Sequence, residues 1–436
     1  MSAVLRRFRF TEFQLLVVPS LMAIVGLLTV FLVRAGQVNW TWRDIWVSLA
    51  YMVLIFGISV WLSVSGFRGD QVLFPIVATL AGIGLLVTQR LQEVFVQRGG
   101  AWTQLAQRQL IYLAAGIVLF WAMMTFIRQL DWLRRYKYTW AFAGLGLMAV
   151  TLVFGQVQNG ARQWLSLGFV TIQPDEILKV ILVVFLAAYL DEYKDLMATP
   201  YRLGPLRLPP IPYLLPMVFM WLLAVATVVR QNNLGTALLL FGIFLAVLYM
   251  ATGRLLYVVV GLAAFVVAVY LASHLFGRVE VRVVDWLNPW SDPGGTGFQQ
   301  IQSDFAMASG GLLGAGLGHG YPQYIPVVET DYVFAVIGEE LGLLGTIGVL
   351  LLYAVLVGRG FLIALRAEPG FVRLLAAGLS TILALQTLII LGGVLRLIPL
   401  TGVTLPFISA GGSSLLTNFV IVALLMRASD PGWRRT

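Results

Sequence analysis

The sequence contains no cysteine and has few histidines and few charged residues. The absence of Cys from all 436 residues excludes disulfide bonds, thiolate metal sites and cysteine nucleophiles. The two histidines, His274 and His319, are too few for a His-rich metal site. Charged residues make up 11% of the chain, whereas a soluble domain has about 25%. The composition therefore argues against a soluble enzyme that uses thiol or zinc chemistry.

Apolar residues, in contrast, are abundant and form long runs. They make up 59% of the chain, and the mean hydropathy is +0.89. Runs of roughly 20 apolar residues, the length that crosses a bilayer, recur throughout. The sequence therefore predicts an all-α polytopic membrane protein with about twelve transmembrane helices and no soluble domain. We expect spans near 12–33, 44–66, 72–90, 110–128, 139–155, 176–190, 213–229, 234–252, 255–276, 331–358, 374–398 and 413–427.

The basic residues predict how these spans are oriented. Most Lys and Arg residues fall in alternate connections, which the positive-inside rule assigns to the cytoplasm. Both termini are then cytoplasmic, and a large loop over 277–330 is extracytoplasmic. The net charge of +9 is explained by this bias and does not require nucleic acid as a partner.

Several charged residues lie close to predicted spans, where each charge costs about 2.5–3.5 kcal/mol unless it has a partner or a wet cavity. Asp175 and Glu176 begin one span, and Lys179 follows Glu176 on the same helical face. One interpretation is a salt bridge that only neutralises two buried charges. The other is the charged wall of an outward cavity, with Arg162 arriving from the preceding loop.

A short polar turn, Arg230 to Asn233, precedes another span. Asn233 is the residue type that caps a helix N-terminus, and the sequence favours this structural role.

The long loop and the residues after it hold further candidates. Its glycines between Gly310 and Gly320 lack the Lys that follows a P-loop, and they allow backbone to approach either backbone or a ligand. Asp331 follows at the start of a helix, where an acid is favourable in any case. Glu339 and Glu340 lie deeper, and Arg396 is a candidate partner for them.

A helix broken by proline and glycine is expected over 399–415. Such backbone is tolerated at membrane depth only where protein or a cavity covers it. An outward cavity lined by Arg162, Glu176, Lys179 and Asp331 would suit an anionic substrate handled by an acid or base. These features alone do not distinguish an enzyme from a transporter.

At the same residues the chain resembles the SEDS family (shape, elongation, division and sporulation) of bacterial cell-wall synthesis, which includes RodA and FtsW. The matching motifs are NGARQWLSLG (159–168), QPDEILK (173–179), GTA (235–237), DPGGTGFQQIQSDFAMASGGLLGAGLG (292–318), ETDYVFAVIGEELGLLG (329–345) and PLTGVTLPFISAGGSSL (399–415).

This resemblance implies a SEDS fold and a peptidoglycan glycosyltransferase of the bacterial cytoplasmic membrane. Such an enzyme polymerises lipid II on the outer face, beside a class B penicillin-binding protein that crosslinks the strands. It implies Asp331 as the catalytic residue, and a divalent cation, Mg²⁺ or Mn²⁺, would suit the pyrophosphate leaving group. The implied substrate-binding residues are Arg162, Trp164, Glu176, Lys179, Gln299 and Ser413.

The chain also departs from the family pattern. A pair of extra spans is expected at 1–71, ahead of a core over 72–436. Asn232 and Asn233 replace Pro and Asp, Asp175 replaces Ser, Ala410 replaces Tyr, and Ile390 stands where Asn is common. Two alternatives therefore stay open: a flippase for a lipid-linked precursor, and a scaffold that only recruits the penicillin-binding protein.

Overall fold

The fold is dominated by long helices. The computed structural model describes residues 9–33, 42–97, 104–127, 129–158, 161–166, 168, 171–198, 201–203, 206–208, 211–275 and 277–431. Each predicted span coincides with one long helix in this part of the chain. These helices are α1 (Phe10–Val33), α2 (Trp42–Val64), α3 (Leu73–Gln97), α4 (Leu105–Phe126), α6 (Lys137–Phe154), α7 (Pro174–Ala198), α8 (Ile211–Arg230), α9 (Leu234–Thr252), α10 (Leu255–Leu275), α13 (Val333–Arg366), α14 (Gly370–Val394) and α15 (Gly412–Ser429).

Nine helices of the described ranges are long and apolar enough to cross a membrane. In α1 and α10 the apolar portions are shorter, at Phe10–Gly26 and Leu255–Tyr270. Helix α7 carries charged residues near both ends. The chain is thus a multi-pass, all-α membrane protein, as predicted.

Short elements connect the long helices. Helix α5 (Asp131–Arg135) precedes α6, and α11 (Gly277–Leu287) and α12 (Phe298–Ser309) lie within the large loop. Strands β1 (Gln156–Gln158), β2 (Ala161–Ser166) and β3 (Thr171–Ile172) form an antiparallel sheet in sequential order. Strands β4 (Tyr201–Leu203) and β5 (Leu206–Leu208) form a hairpin. The sequence did not predict these strands.

The chain divides into two compact units, which are described in turn. The first comprises Met1–Phe126, Glu280–Arg359 and Gln386–Thr436, and the second comprises Ile127–Val279 and Gly360–Leu385. The predicted division into 1–71 and 72–436 concerns the family pattern and stays a prediction.

In the first unit, α15 packs closely against α4, and α1 packs against α3. The α4–α15 contact depends on Gly116, because a Cβ atom there would overlap the ring of Phe419. Arg9 joins α1 to the connection after α2. Its buried guanidinium pairs with Glu12 at 2.5 Å and donates to the carbonyl of Gly69 at 3.0 Å.

Helix α13 is broken at Gly342. As a straight helix its 34 residues would extend about 51 Å, well beyond the roughly 30 Å of a hydrocarbon core. Gly342 has φ 66° and ψ −164°, and a Cβ atom there would overlap the backbone of Leu312 and Gly314. Only glycine adopts this conformation readily in so small a space.

The glycine-rich part of the large loop supplies backbone hydrogen bonds at this break. The N–H groups of Ala315 and Gly316 donate to the carbonyls of Glu339 and Glu340 at 2.9 and 3.0 Å. Beyond the break, Leu343 N–H donates to the carbonyl of Gly311 at 3.0 Å. The loop thus satisfies groups that a broken helix leaves unpaired. Of the two predicted uses for these glycines, the approach of backbone to backbone is confirmed.

In the second unit, α7 packs between α6 and α9. Gly144 of α6 faces Leu178 and Ile181 of α7, and a Cβ atom there would come within 3.2 Å of each. The β1–β3 sheet connects α6 to α7, so its strands precede the charged first turn of α7.

Candidate active site

Asp331 lies two residues before α13 begins and therefore outside the membrane span. Its N–H donates to the carbonyl of Val327 at 3.2 Å, and its side chain is half-buried. Burial raises the pKa of the Asp331 carboxyl to about 6, and the negative charge of Glu329 adds to the rise. A hydrogen bond from Thr330 and the positive charge of Arg282 oppose it. A carboxylate with a pKa near neutrality is suited to accept a proton.

The segment 399–411, which precedes α15, hydrogen-bonds to residues 329–330, which form a turn with Asp331 (the Asp331 turn). The buried Ser409 hydroxyl donates to the carbonyl of Thr330 at 2.6 Å and accepts the N–H of Leu405 at 2.9 Å. Ala410 N–H donates to the carbonyl of Glu329 at 2.9 Å. Because Glu329 and Thr330 immediately precede Asp331 in the chain, these bonds restrict where its carboxylate can lie.

The same segment is non-helical, as predicted, and protein side chains cover it. Tyr353 donates to the carbonyl of Pro406 at 2.5 Å, and Gln386 donates to the carbonyl of Thr404 at 2.9 Å. All four residues are buried or half-buried. Of the two expected kinds of cover, protein or a cavity, protein covers the broken backbone at these two carbonyls.

Arg282 of α11 is a site residue that the sequence reasoning missed. One guanidinium nitrogen, Nη1, donates to the carbonyl of Thr401 at 3.2 Å. A Cβ atom on Gly402 would lie 3.4 Å from Asp331 Oδ2 and 4.0 Å from Arg282 Nη2. Gly402 itself is exposed and has φ 71°. The Asp331 carboxylate and the Arg282 guanidinium therefore both lie close to the point that a side chain at Gly402 would occupy.

Gln299 and Ser413, predicted to bind substrate, also belong to the first unit. Both are half-buried, Gln299 in the first turn of α12 and Ser413 in the first turn of α15. The adjacent Gln300 is buried and donates to Asp304 Oδ1 at 2.9 Å. Ser414, next to Ser413, accepts the Thr404 hydroxyl at 2.7 Å. Gln300 and Ser414 make structural contacts, and the roles of Gln299 and Ser413 stay predictions.

Glu339 and Glu340 do not pair with Arg396, and this part of the prediction is wrong. Glu340 pairs with Arg90 at 2.9 Å, while Glu339 accepts the N–H of Tyr321 at 2.8 Å. Arg396 instead pairs with Asp304 at 3.1 Å. The two glutamates therefore fasten the glycine-rich part of the loop to α13, which is a structural role.

In the second unit, Glu176 and Lys179 form a salt bridge. Lys179 Nζ lies 2.5 Å from Glu176 Oε2, one helical turn apart, and the Lys179 side chain is only 1% exposed. A buried pair of this kind neutralises both charges locally. The predicted pairing is confirmed, and the further role of the pair in a cavity stays a prediction.

Arg162 and Trp164 lie on strand β2, and not in a loop as predicted. In the β1–β2 register, Arg162 is opposite Val157 and Trp164 is opposite Gln156. Arg162 is exposed, and its Nη1 donates to the carbonyl of Leu152 at 3.0 Å. Trp164 is half-buried. The residues Asn159 and Gly160 of the same motif lie outside the described ranges.

Asn233 caps α9, as the sequence favoured. Its Oδ1 accepts the N–H of Thr236 at 3.3 Å, and its Nδ2 donates to Asp175 Oδ2 at 2.6 Å. The Thr236 hydroxyl and the Gln173 amide donate to the same carboxylate oxygen, at 2.8 and 3.2 Å. Asp175 is thus buried, and its Oδ2 accepts hydrogen bonds from three protein side chains.

The predicted site residues are shared between the two units. Asp331, Gln299 and Ser413 belong to the first unit. Arg162, Trp164, Glu176 and Lys179 belong to the second. The cavity predicted from Arg162, Glu176, Lys179 and Asp331 therefore stays a prediction.

Comparison with known proteins identifies the family of this chain. The model of the FtsW/RodA/SpoVE family, described as cell cycle proteins, matches residues 70–431. The chain belongs to this family. Among its relatives, the peptidoglycan glycosyltransferase RodA of Mycobacterium tuberculosis strain H37Rv is 39% identical over 434 residues, which are 98% of this chain and 91% of that protein.

Solved structures of FtsW/RodA/SpoVE-like chains agree with this assignment. One comes from a peptidoglycan synthase complex that coordinates polymerisation and crosslinking. It is 30% identical, covers 82% of this chain and 97% of its own, and has a TM-score of 0.66. The rod shape determining protein RodA of Thermus thermophilus is 27% identical, covers 83% and 96%, and has a TM-score of 0.59.

Two departures of this FtsW/RodA/SpoVE member from the expected pattern lie in direct contact. The pattern has Ser at position 175 and Asp at position 233, whereas this chain has Asp175 and Asn233. Because the Asn233 amide donates to the Asp175 carboxylate, the acid has in effect moved from one side of the contact to the other. At a third departure, Ala410, only the main-chain N–H makes the bond to Glu329, so loss of the Tyr side chain leaves that bond intact.

The described residues contain no group of three or more His, Asp or Glu side chains that could hold a metal ion. Mg²⁺, however, is often held through one or two carboxylates together with substrate phosphates. Glu176 carries a carboxylate of the right type for that mode.

Proposed function

We propose that this protein is a peptidoglycan glycosyltransferase that polymerises lipid II into glycan strands. The observation that carries the proposal is the match, over nearly the whole chain, to a relative named a peptidoglycan glycosyltransferase. The motif around Asp331 supports it, because the acid is present and the 399–415 segment positions it.

Asp331 is the general base in this proposal. Joining a sugar 4-hydroxyl to an anomeric carbon requires removal of the hydroxyl proton, and the leaving pyrophosphate requires positive charge. The raised pKa of Asp331 suits the first task at neutral pH. A single base with direct displacement inverts the anomeric centre, which gives a β-linked product from an α-linked donor.

Arg162, Trp164, Glu176, Lys179, Gln299 and Ser413 are the proposed substrate-binding residues. In this group Lys179 is already neutralised by Glu176. We therefore expect the pair to contribute shape and hydrogen bonds to the head group more than net positive charge. Arg162 is exposed and retains its cationic character at the surface.

The membrane topology and partners follow from the same proposal. The basic connections assign both termini to the cytoplasm and the 277–330 loop to the outer face, where lipid II is consumed. A class B penicillin-binding protein is the expected partner, which is supported by the similarity to a chain from a peptidoglycan synthase complex. Mg²⁺ or Mn²⁺, held through Glu176 and the substrate phosphates, would neutralise pyrophosphate charge.

The scaffold alternative receives little support from the departures. Asn233 retains a cap and a charged partner, and Ala410 retains its main-chain bond to the Asp331 turn. The main support for catalysis over scaffolding is instead that Asp331, Glu176 and Lys179 are all retained. A flippase would share the site but would move substrate without forming product.

The test is polymerisation of labelled lipid II by the purified protein with its class B penicillin-binding protein and Mg²⁺ or Mn²⁺. We expect glycan ladders from the wild type and none from Asp331→Asn, with equal expression and complex formation. Ladders from the Asn variant would overturn the role of Asp331. No ladder from a folded, complexed wild type would favour transport or scaffolding.

A further inference from the structure

We propose that Tyr353 and Gln386, two side chains buried among the helices of the first unit, are positioning residues for Asp331. They hold a backbone turn at residues 405–410 (the 405–410 turn), and that turn holds the main chain immediately before Asp331. The inference rests on the proposed glycosyltransferase function and adds two residues that lie outside the matching motifs.

The 405–410 turn is a compact structure that Ser409 closes. The N–H of Ser409 donates to the carbonyl of Leu405 at 3.0 Å, and the Ser409 hydroxyl accepts the N–H of Leu405 at 2.9 Å. Phe407, which is buried, has φ 67°, a left-handed conformation that is strained for a bulky residue. Such strain persists only where the surrounding structure fixes the backbone. The turn therefore needs support from its neighbours to keep this shape.

Two hydrogen bonds join the 405–410 turn to the chain before Asp331. The Ser409 hydroxyl donates to the carbonyl of Thr330 at 2.6 Å, and Ala410 N–H donates to the carbonyl of Glu329 at 2.9 Å. Because both acceptors directly precede Asp331, a shift of the turn also shifts the backbone from which the Asp331 side chain extends.

Tyr353 and Gln386 support the turn from two different helices. The Tyr353 hydroxyl on α13 donates to the carbonyl of Pro406 at 2.5 Å. On α14, Gln386 Nε2 donates to the carbonyl of Thr404 at 2.9 Å and to its hydroxyl at 3.3 Å. The exposed fraction is 2% for Tyr353 and 0% for Gln386. Hydrogen bonds in such a low-dielectric interior are stronger than bonds exposed to water, so they restrain the turn effectively.

The Thr404 hydroxyl extends this support to α15. It donates to Ser414 Oγ at 2.7 Å, and Nδ2 of the buried Asn418 donates to the same oxygen at 3.4 Å. Side chains from α13, α14 and α15 therefore converge on the backbone of residues 404–406.

Helix α13 alone is a poor means of holding Asp331 in place. Asp331 lies before α13, and Tyr353 lies beyond the non-helical break at Gly342. A break in the helical hydrogen bonds lets the two parts of a helix take different directions. The 405–410 turn connects the two parts, because it is bonded to Thr330 on one side and to Tyr353 on the other.

The position of Asp331 matters because a general base must lie within hydrogen-bond reach of the hydroxyl that it deprotonates. A displacement of about 1 Å can lower a rate about 100-fold. Loss of one support would let the turn, and Asp331 with it, occupy a wider range of positions. We therefore expect a lower kcat with substrate binding retained, since all the proposed substrate-binding residues remain in place.

The test is the initial rate of glycan-ladder formation over a range of lipid II concentrations, with the full chain and its class B penicillin-binding protein. Tyr353→Phe and Gln386→Met keep the size of each side chain and remove its hydrogen bonds. We expect each to lower kcat about tenfold and to change KM less than about twofold. Because both residues act through one turn, the double variant should lose less than the product of the two single losses.

The matched control is Tyr51→Phe in the same unit. The Tyr51 hydroxyl is equally buried and donates to the carbonyl of Ala78 at 2.6 Å, between α2 and α3. We expect this variant to lower the unfolding temperature about as much as Tyr353→Phe does, and to leave kcat and KM unchanged.

A conservative pair at Thr404 gives a second test, which also applies if Gln386→Met does not fold. Thr404→Ser keeps the hydroxyl between Gln386 and Ser414, so its kcat should stay within about twofold of the wild-type value. Thr404→Val keeps the shape without the hydroxyl and should lower kcat severalfold.

Several results would overturn the proposal. An unchanged kcat in both single variants would do so, as would an equal loss of kcat in Tyr51→Phe, which would mean a general effect of lower stability. A higher KM with unchanged kcat would assign the network to substrate binding, for example through Ser413. A Thr404→Ser variant as impaired as Thr404→Val would exclude the hydroxyl as the cause.

Failure of this inference can be distinguished from failure of the proposed function. Ladders from the wild type together with unchanged kcat in the variants would refute the positioning roles and leave the proposed function intact. No ladder from a folded, complexed wild type would refute both.

Discussion

The pH dependence of glycan polymerisation should report the ionisation of Asp331. The base must be deprotonated to accept the hydroxyl proton, so activity should rise with pH through the pKa of about 6. A group with that pKa is about nine-tenths ionised at pH 7 and about one-tenth ionised at pH 5. We therefore expect the rate to fall about tenfold between pH 7 and pH 5.

An aspartate with the ordinary pKa of about 3.9 would behave differently, because it would remain about nine-tenths ionised at pH 5. The assay is the initial rate of ladder formation from labelled lipid II, measured across this range with a constant metal concentration and ionic strength. A rate at pH 5 within about twofold of the rate at pH 7 would refute the assignment of a raised-pKa base.

A neighbouring residue gives an independent check on the same ionisation. Glu329 raises the pKa of Asp331, so Glu329→Gln should move the acidic limb of the profile to lower pH. The substitution keeps the carbonyl that accepts Ala410 N–H, and the Asp331 turn should remain in place. A limb that moves to higher pH, or does not move, would mean that another group controls the profile.

The unfolding temperature of Asp331→Asn tests whether the Asp331 charge is needed for stability. Since the folded-state pKa is raised above the unfolded value, Asp331 stabilises the fold most at pH values below about 3.9. That contribution is lost as pH rises through about 6, where the half-buried carboxyl must ionise. At pH 7 to 8 we therefore expect the Asn variant to unfold at the same temperature as the wild type or slightly higher. A marked loss of stability would show that the charge supports the fold.

Three further predictions concern stability, each measured by thermal unfolding in detergent. Gly342→Ala should cost more than about 1 kcal/mol, because its backbone is left-handed and the loop backbone lies against it; wild-type stability would contradict the described break. Glu340→Gln should cost about 3 kcal/mol by leaving the half-buried Arg90 without its carboxylate, and a loss below about 0.5 kcal/mol would show the pair to be dispensable. Asp175→Ser and Asn233→Asp should each destabilise the protein, whereas the double variant should recover at least half of the combined loss; strictly additive losses would show that the contact is unimportant.

Much of the fold could be predicted from the sequence, because the length of each apolar run indicates a membrane-spanning helix. Every predicted span meets a helix, since each long run must satisfy its backbone internally in lipid. The break at Gly342 could not be predicted in the same way. It depends on hydrogen bonds from the loop around Gly311, and hydropathy is insensitive to such distant backbone contacts. Strand β2, which carries Arg162, and its neighbours β1 and β3 are short and irregular, so the sequence shows little periodicity there.

The candidate site was predictable only where a motif marked it. Asp331 is found through its resemblance to the family, and its position before α13 agrees with a helix-start residue. Arg282 was missed because it lies in an amphipathic helix with no motif of its own, although a charged residue among valines within the large loop was a usable signal. The partner of Glu340 was predicted wrongly because Arg90, its actual partner, is 250 residues away in sequence. Ion pairs at such separations are decided by packing and have no local pattern.

The exchange at Asp175 and Asn233 shows why departures from a family pattern must be judged in pairs. Taken singly, loss of the acid at position 233 suggests a weakened site, and gain of an acid at position 175 suggests a new charge to explain. The structure gives both changes one cause, because one carboxylate still faces one neutral hydrogen-bonding partner across the same contact. The Thr236 hydroxyl donates to Asp175 and its N–H donates to Asn233, so either arrangement would leave the start of α9 capped. In this chain the contact holds one buried carboxylate, and the double variant tests whether an acid at position 233 can take its place.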